Sequence, residues 1–204
     1  MIRLTGEMKG NLKHEFLTAT AEKKRRTLKV LGAEGVKEVR GNIENETAPS
    51  GAKWTPSLRA SSEGGRTLRK SGALWRSIDA AELDDSTAVV FVNAARFPEM
   101  EKYAMIHNFG GVIRSKTGKK LTVPIHKMSR GKTVADMKRY FDVIYVLRRD
   151  GRPPVIMGKN GTRGKPVALF VLKDSVKIPK REFMGLSPAA KSRLTARLEE
   201  TLKE

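Results

Sequence analysis

The sequence predicts an α+β fold, an antiparallel sheet packed by a long N-terminal helix, a second helix and a C-terminal helix, with a basic β-meander insertion. Apolar residues recur at helical intervals near both ends of the chain. Runs rich in β-branched residues fill the middle, and Asp-Gly and Asn-Gly pairs separate three of them. The 204 residues suit one domain, 1–204, in which residues 126–176 form the basic β-hairpin insertion.

The first third of the chain predicts one long amphipathic helix over residues 12–43. Apolar side chains recur there at helical spacing, and Gly32 and Gly35 predict a loosening within the helix. The stretch 45–65 is dense in Pro, Gly and Ser, so it predicts a loop. A second helix is predicted over residues 68–81. Its apolar stripe comprises Leu74, Trp75 and Ile78.

A strand and a short helix are predicted in the centre of the chain. The β-branched content of residues 87–93 predicts the strand. Residues 103–109 predict a helical turn that Gly110 and Gly111 close, because glycine readily adopts the left-handed conformation that stops a helix. The next residues, 111–125, predict a hairpin with Lys-Thr-Gly at its tip.

The segment that follows predicts a short helix and then a meander. Residues 134–140 predict the helix. Three β-rich runs come next, separated by Asp150-Gly151 and by Asn160-Gly161. These dipeptides are strong hairpin signals, so the runs predict three antiparallel strands.

The last residues predict a C-terminal helix. Ser187 supplies a preferred N-cap residue, and Pro188 suits the first helical position. Leucines recur on one side of this helix at every fourth position, namely Leu194, Leu198 and Leu202.

The positive charge of the chain is concentrated in one segment. The chain has 41 Lys and Arg against 22 Asp and Glu, a net charge of +19, which implies an anionic partner. Residues 111–180 carry eighteen basic and four acidic side chains, whereas residues 81–110 carry two and five. The basic segment is either a set of solvated hairpins or a surface directed at DNA or at an acidic protein. The candidate contact residues are Lys119, Lys120, Arg148, Arg149, Arg152, Lys159, Arg163 and Lys165.

Composition excludes several classes of protein. The chain has no cysteine, so it has no disulfide, zinc-thiolate site or thiol nucleophile. No stretch of 18 apolar residues predicts a membrane span, so no membrane partner is expected. The first residues lack the apolar core of a signal peptide, and we therefore expect a cytosolic product.

The sequence carries no recognisable catalytic, cofactor or metal motif. The three histidines, His14, His107 and His126, lack metal-ligand spacing. The glycine-rich stretch 158–166 fails the phosphate-loop pattern, because Lys159 replaces its first glycine and Pro166 replaces its Ser or Thr. We therefore predict a protein that is not an enzyme. His107 alone stays open between a role in packing and one in a site assembled from distant residues.

Three short motifs occur in order along the chain. The first comprises Leu68, Ser71, Gly72, Leu74, Ser77 and Ile78. The second comprises Tyr103, Ala104, Ile106, His107, Phe109, Gly110 and Gly111. The third comprises Ile178, Pro179, Arg181, Phe183, Gly185, Leu186 and Ser187. Together they resemble the virion morphogenesis or tail-completion family of tailed bacteriophages. The chain departs from that pattern at Lys180, at Met184 and in the long basic segment between the last two motifs.

The resemblance implies a structural protein of the virion. Such a protein would lie at the head–tail junction or at the head-proximal end of the tail, after assembly in the host cytoplasm. Its implied partners are the head–tail connector and tail proteins, and its implied state is a homo-oligomeric, hexameric ring with DNA passing through the lumen. The ring would make the tail competent to join the DNA-filled head.

The resemblance also implies roles for the motif residues. Leu74, Ile78, Tyr103, Ile106 and Phe109 would be buried together. Gly110-Gly111 would turn the chain into the hairpin, and Ile178-Pro179 would end a strand. Arg181 and Phe183 would anchor the C-terminal helix or a neighbouring subunit, and His107 would make a hydrogen bond that fixes the turn or a subunit contact.

A standalone, sequence-independent nucleic-acid-binding protein is the alternative. It explains the net charge of +19 equally well. It does not explain three motifs in a fixed order, and it predicts a monomer or dimer rather than a ring.

Overall fold

The computed structural model describes residues 3–4 and 10–203. The chain forms two compact units, the first from residues up to 111 together with those from 179 onward, the second from residues 112–178. Both combine helices with antiparallel strands, so the predicted α+β class is confirmed. That residues 126–176 form an insertion into one domain stays a prediction.

Seven α-helices, one short 3-10 helix (Lys127–Ser129) and nine strands occur in the described residues. The helices are α1 (Gly10–Thr18), α2 (Ala21–Asn45), α3 (Leu58–Glu63), α4 (Ala73–Ser77), α5 (Met100–Phe109), α6 (Val134–Met137) and α7 (Pro188–Lys203). The strands are β1 (Arg3–Leu4), β2 (Ile78–Glu82), β3 (Ala88–Val92), β4 (Gly111–Arg114), β5 (Leu121–Pro124), β6 (Val143–Arg149), β7 (Arg152–Lys159), β8 (Val167–Lys173) and β9 (Ser175–Ile178).

The predicted N-terminal helix is two helices, α1 and α2, and the prediction of one element was wrong. The break occurs because the Thr20 hydroxyl accepts a hydrogen bond from the Lys23 N–H at 3.3 Å and caps a new helix. The predicted loosening was also wrong, since α2 continues through Gly32 and Gly35. A β-carbon at Gly35 would lie 2.8 Å from Val90 Cγ2, and one at Gly32 would lie 3.0 Å from Ala80 Cβ. The two glycines therefore let α2 lie close against β2 and β3.

The predicted helix over residues 68–81 is only the short α4 and then β2, so that prediction was wrong in extent. Leu68 has a positive φ of 61°, which no helix can include. Ile78 leaves the helix because it pairs with Val92 and begins a five-residue antiparallel ladder with β3. The burial predicted for Leu74 and Ile78 is confirmed, since they are 2% and 0% exposed. The stretch 45–65, predicted as a loop, contains the short α3.

Two apolar clusters form the core of the first unit. One joins α2 to the three-stranded sheet, whose order is β1-β3-β2, and to the segment that precedes α7. The other joins α1, α2 and α7 through Phe16, Leu28, Leu198 and Leu202. The C-terminal helix is confirmed, and the Ser187 hydroxyl caps it by accepting a hydrogen bond from the Ala190 N–H at 3.1 Å.

The second unit contains a four-stranded antiparallel sheet of order β5-β8-β7-β6. The predicted meander, β6 to β8, and its tight turn at Asp150-Gly151 are confirmed. The connection that begins at Asn160-Gly161 was predicted as a tight turn and is instead a longer loop, 160–166. Asn160 and Asp142 hold this loop, since Asp142 Oδ2 accepts a hydrogen bond from the Gly161 N–H at 2.8 Å.

The hairpin predicted over residues 111–125 was wrong, because β4 and β5 pair with different strands. β4 pairs with β9 and β5 pairs with β8. β8 and β9 are separated by Asp174 alone, so together they offer a longer partner than β4 and β5 offer each other. Lys120 of the β4–β5 connection contacts Asp174 at 2.8 Å.

The core of the second unit covers one face of the four-stranded sheet. Met137 of α6 is buried there with Ile156, Leu169 and Phe170. The Phe141 ring packs on Gly158, where a β-carbon would lie 2.6 Å from Phe141 Cγ.

The glycines of α2 provide a matched pair for a stability test. Gly35→Ala should lower the free energy of unfolding by about 1 to 2 kcal/mol, because its methyl group overlaps the buried Val90. Gly41→Ala should raise it by about 0.5 to 1 kcal/mol, because nothing lies within 4 Å of the added carbon and alanine favours helix. Urea denaturation measures both values. Equal stabilisation by the two changes would contradict the close approach of α2 to β3.

Candidate functional site

The second motif lies on α5, where Phe109 points outward and the partly exposed Tyr103 ring lies against the His107 ring, with 4.4 Å between their centroids. Tyr103 and Phe109 are 38% and 61% exposed, so their predicted burial was wrong. The buried residues are Ala104 and Asn108, which are 0% and 3% exposed. Residues four apart lie on the same side of a helix, and this pair therefore defines the inner side of α5.

Asn108 is the residue of this helix that sequence analysis missed. Its Oδ1 accepts hydrogen bonds from the backbone N–H groups of Phe183 and Met184 at 3.0 and 2.9 Å. The second motif thereby binds the third directly. One feature of the sequence could have indicated the burial of Asn108. This residue lies four residues after Ala104 and therefore on the same side of the helix, and a small apolar residue such as alanine suits a buried side.

A second buried asparagine binds the same segment from α2. Asn42, which is 6% exposed, donates hydrogen bonds through Nδ2 to the carbonyl oxygens of Phe183 and Gly185, both at 3.0 Å. Phe183 is fully buried. It therefore anchors the segment that leads into α7, which is one of the two roles predicted for it. The other role, contact with a neighbouring subunit, stays a prediction.

Arg181 is buried beside His107. Its backbone N–H donates to the His107 carbonyl oxygen at 2.7 Å, and its Nε donates to the Thr55 carbonyl oxygen at 3.1 Å. Its Nη1 lies 3.3 Å from His107 Nδ1. Because a guanidinium can only donate, the imidazole accepts this bond. His107 thus makes a side-chain hydrogen bond to Arg181 within the chain; its predicted role in fixing the Gly110-Gly111 turn or a subunit contact stays a prediction.

The electrostatic environment keeps His107 neutral. Burial, reinforced by the positive charge of Arg181, lowers the pKa of His107 to about 4. Burial also lowers the pKa of Arg181, and Tyr103 and Glu46 oppose that change. At neutral pH the imidazole is therefore an uncharged acceptor whose Nδ1 is already occupied. This arrangement joins α5 to the segment that contains Arg181.

The other histidines and glycines of the prediction serve local structure. His126 Nδ1 accepts a hydrogen bond from the Met128 N–H at 3.2 Å, and His14 is exposed on α1. Gly110 closes α5 with a φ of 71°, and β4 begins at Gly111. Ile178 is the last residue of β9, so the predicted end of a strand before Pro179 is confirmed.

The described part of the chain contains no group of three His, Cys, Asp or Glu side chains that could hold a metal ion. Nor does any of its helices combine the length and apolar character needed to cross a membrane. A groove of about 430 Å³ lies between α2 and β2. Its Arg40 donates to the carbonyl oxygens of Trp75 and Ile78, at 3.2 and 2.9 Å, and so contributes to packing.

The eight predicted basic contacts all lie in the second unit, and strand pairing separates them into two groups. One group lies at the end of the sheet where β6 turns into β7 and where β5 begins. We call it the basic end. It comprises Lys119, Lys120, Arg148, Arg149 and Arg152. The other lies at the opposite end of β7 and comprises Lys159, Arg163 and Lys165. The eight residues of β7 hold the two groups roughly 24 Å apart. All eight side chains are exposed except Lys159, which is half-buried.

The acidic side chains of the second unit do not neutralise this charge. Residues 112–178 contain 17 Lys and Arg and four Asp. Thr133 caps α6, and Asp136 completes the capping box by accepting hydrogen bonds from the N–H and hydroxyl of Thr133, which lower the pKa of Asp136. Asp142 holds the 160–166 loop, as described above. A net charge of +13 therefore belongs to the surface of this unit.

Comparison with known proteins gives one match. The sequence profile described as the Phage virion morphogenesis family matches residues 11–145, about two-thirds of the 204 residues. No curated protein and no solved structure matches the chain. The matched range includes the first two motifs and the beginning of the proposed insertion, and it ends before the third motif.

Asn108→Ala should lower the free energy of unfolding by about 2 to 4 kcal/mol, because two buried N–H groups would lose their acceptor. Phe109→Ala should change it by less than about 0.5 kcal/mol, since the ring is 61% exposed. Chemical denaturation of the two variants measures the difference. A larger loss with Phe109→Ala would restore the core position first expected for this ring.

Proposed function

The chain belongs to the phage virion morphogenesis family, and from that premise we propose that it acts at the head–tail junction as a tail-completion or neck protein. Family membership supports a structural role in building the virion. Beyond this, the proposal is that copies of the chain form a hexameric ring. The ring makes the tail competent to bind the connector of the DNA-filled head.

The proposal rests on a difference between the inward and outward residues of the second motif. Its inward groups, His107 and Asn108, are occupied by bonds to the segment 181–184. Phe109 is 61% exposed, and Tyr103 keeps 38% of its surface exposed beside the His107 ring. A substrate site would need polar groups free to act, whereas a subunit contact needs exposed apolar side chains on a rigid element. The motif therefore suits assembly better than catalysis.

A ring follows from the symmetry of a tail. A tail is a rotationally symmetric tube, so a protein that completes it should repeat around the same axis through head-to-tail contacts. Such contacts join two different surfaces of each copy, and they close into a ring when the rotation allows it.

DNA is the proposed partner of the basic end. Five basic side chains lie at this end of the sheet, in a unit with a net charge of +13. Binding of this kind is directed at phosphates and independent of base sequence. An acidic surface of the connector is the competing partner. A standalone nucleic-acid-binding protein remains the second candidate function, and the same charge favours it.

Depletion of the protein during infection by the phage that encodes it tests the junction role. We expect DNA-filled heads and separate tails to accumulate, and added protein to restore joined particles. Electron microscopy of lysates counts heads, tails and virions, and mass spectrometry of purified virions detects the chain. Normal joined virions without the protein would refute the role, and a defect in DNA replication instead would favour the standalone alternative.

Salt titration of binding to random-sequence duplex DNA tests the partner of the basic end. The triple variant Arg148→Gln, Arg149→Gln and Arg152→Gln should bind more weakly, with a slope of log K against log salt about two to three units shallower. The matched control removes three exposed lysines of the first unit, Lys29, Lys70 and Lys102, and should keep a slope closer to that of the natural protein. No binding even at low salt would exclude DNA and leave the acidic connector surface.

A further inference from the structure

The four-stranded sheet of the second unit has an apolar face opposite its core. Strand pairing places Tyr145 beside Met157 and Leu147 beside Val155. Ala168 pairs with Met157 from the other side. We call these five residues the open face; all of them are half-exposed, although four of them have large apolar side chains. Their alternation with the buried Ile156 follows from the two-residue period of a strand.

The open face contains a groove with one charged end. The groove encloses about 220 Å³ and is lined by Leu147, Arg149, Arg152, Pro153, Val155, Met157 and Ala168. The groove extends along β7 for roughly 17 Å from Arg152 to Met157, and its apolar part, from Pro153 to Met157, is roughly 14 Å long. Arg149 and Arg152 pair across the β6–β7 turn, so both cations lie at the same end of the groove.

The helix α5 of the first unit carries a ridge with matching features. Met105 and Phe109 are 42% and 61% exposed and stand four residues apart, and Glu101 stands four residues before Met105. Residues at this spacing form one continuous row on a helix. The row is roughly 12 Å long, with a carboxylate at one end and apolar side chains along the rest. Glu101 is half-buried, and Glu99, beside the N-terminus of α5, adds an exposed carboxylate.

From these features we propose that the α5 ridge of one copy packs into the open-face groove of a second copy. In this contact Glu101 faces Arg149 and Arg152, and Phe109 faces Met157 and Ala168. The contact uses these two arginines of the basic end and leaves its other three residues, Lys119, Lys120 and Arg148, to face DNA. The groove is somewhat longer than the ridge, and the two match in apolar character and in the position of opposite charges. The proposal rests on the proposed ring, and it names the two surfaces that build it.

The charges favour a contact between ridge and groove over a contact between two copies of the same surface. Two open faces in contact would bring together two units of net charge +13 and four guanidinium groups at one site. Two α5 ridges in contact would bring carboxylates together. Only the contact between ridge and groove pairs opposite charges, and it joins different surfaces, as a closed ring of identical copies requires.

Cysteine cross-linking tests the contact, because the chain has no cysteine of its own. One chain carries Met105→Cys and the other Val155→Cys, and a short bismaleimide links thiols that meet. We expect a covalent dimer from the mixture and neither chain to link to itself. The double variant should give a ladder of linked copies. The matched control replaces Met105→Cys with Leu17→Cys, a residue of α1 that is 52% exposed, and should give no dimer.

The cross-linking is performed on the purified mixture and on particles assembled during infection. Three results in particles would overturn the contact: no link between copies, a link of Met105→Cys chains to each other, or a link of Val155→Cys to a different virion protein. The last result would assign the groove to an acidic helix of another component. These failures leave the ring intact, whereas absence of the natural protein from purified virions removes the proposed function itself.

A charge exchange tests the polar end of the contact separately. Arg149→Glu with Arg152→Glu on the Val155→Cys chain should lower the yield of mixed dimer about five- to tenfold. Glu99→Arg with Glu101→Arg on the Met105→Cys chain should restore it. Unchanged melting curves of all variants show that folding is preserved. An unchanged yield after the first exchange, or failure of the second to restore it, would contradict the proposed orientation.

Discussion

The structure of the first unit depends on two buried side-chain amides that bind one segment of backbone. Asn108 of α5 accepts from the N–H groups of Phe183 and Met184, and Asn42 of α2 donates to the carbonyl oxygens of Phe183 and Gly185. These hydrogen-bonding groups are far apart in sequence and buried. Leaving one of them without its partner would cost much more free energy of folding than the formed bond contributes. The segment therefore has one position relative to α2 and α5, and the Phe183 ring completes the apolar cluster around it.

This constraint explains why α5 can present residues to a partner. The helix is fixed from inside by Asn108 and by the backbone bond from Arg181 to His107, so its outward side needs no packing of its own. A rigid helix loses little conformational freedom when it binds, which favours affinity. The inward residues of the motif thus fix the fold, and its outward residues are available to a partner.

Local signals predicted the elements whose determinants lie close together in sequence. The meander, the Ser187 cap and the end of α5 all follow from residues within a turn of each other. The failures came from distant partners. No local pattern shows that β4 and β5 pair with β9 and β8, or that Gly35 is small because Val90 lies against it. At the candidate site, the helical spacing of α5 was compatible with burial of either the side that carries Tyr103 and Phe109 or the side that carries Ala104 and Asn108. The choice between them depended on an amide whose partners are some seventy-five residues away.

The charged residues of the second unit differ in how freely they can change. Asp136 and Asp142 bind backbone N–H groups that shape α6 and the 160–166 loop, so their replacement would disturb the fold. Arg148, Arg149 and Arg152 are exposed side chains on strands whose pairing does not require them. The positive potential of this surface can therefore be raised or lowered in steps by single substitutions, with little cost in stability. Such a protein could adapt to a new anionic partner while its sheet stays unchanged.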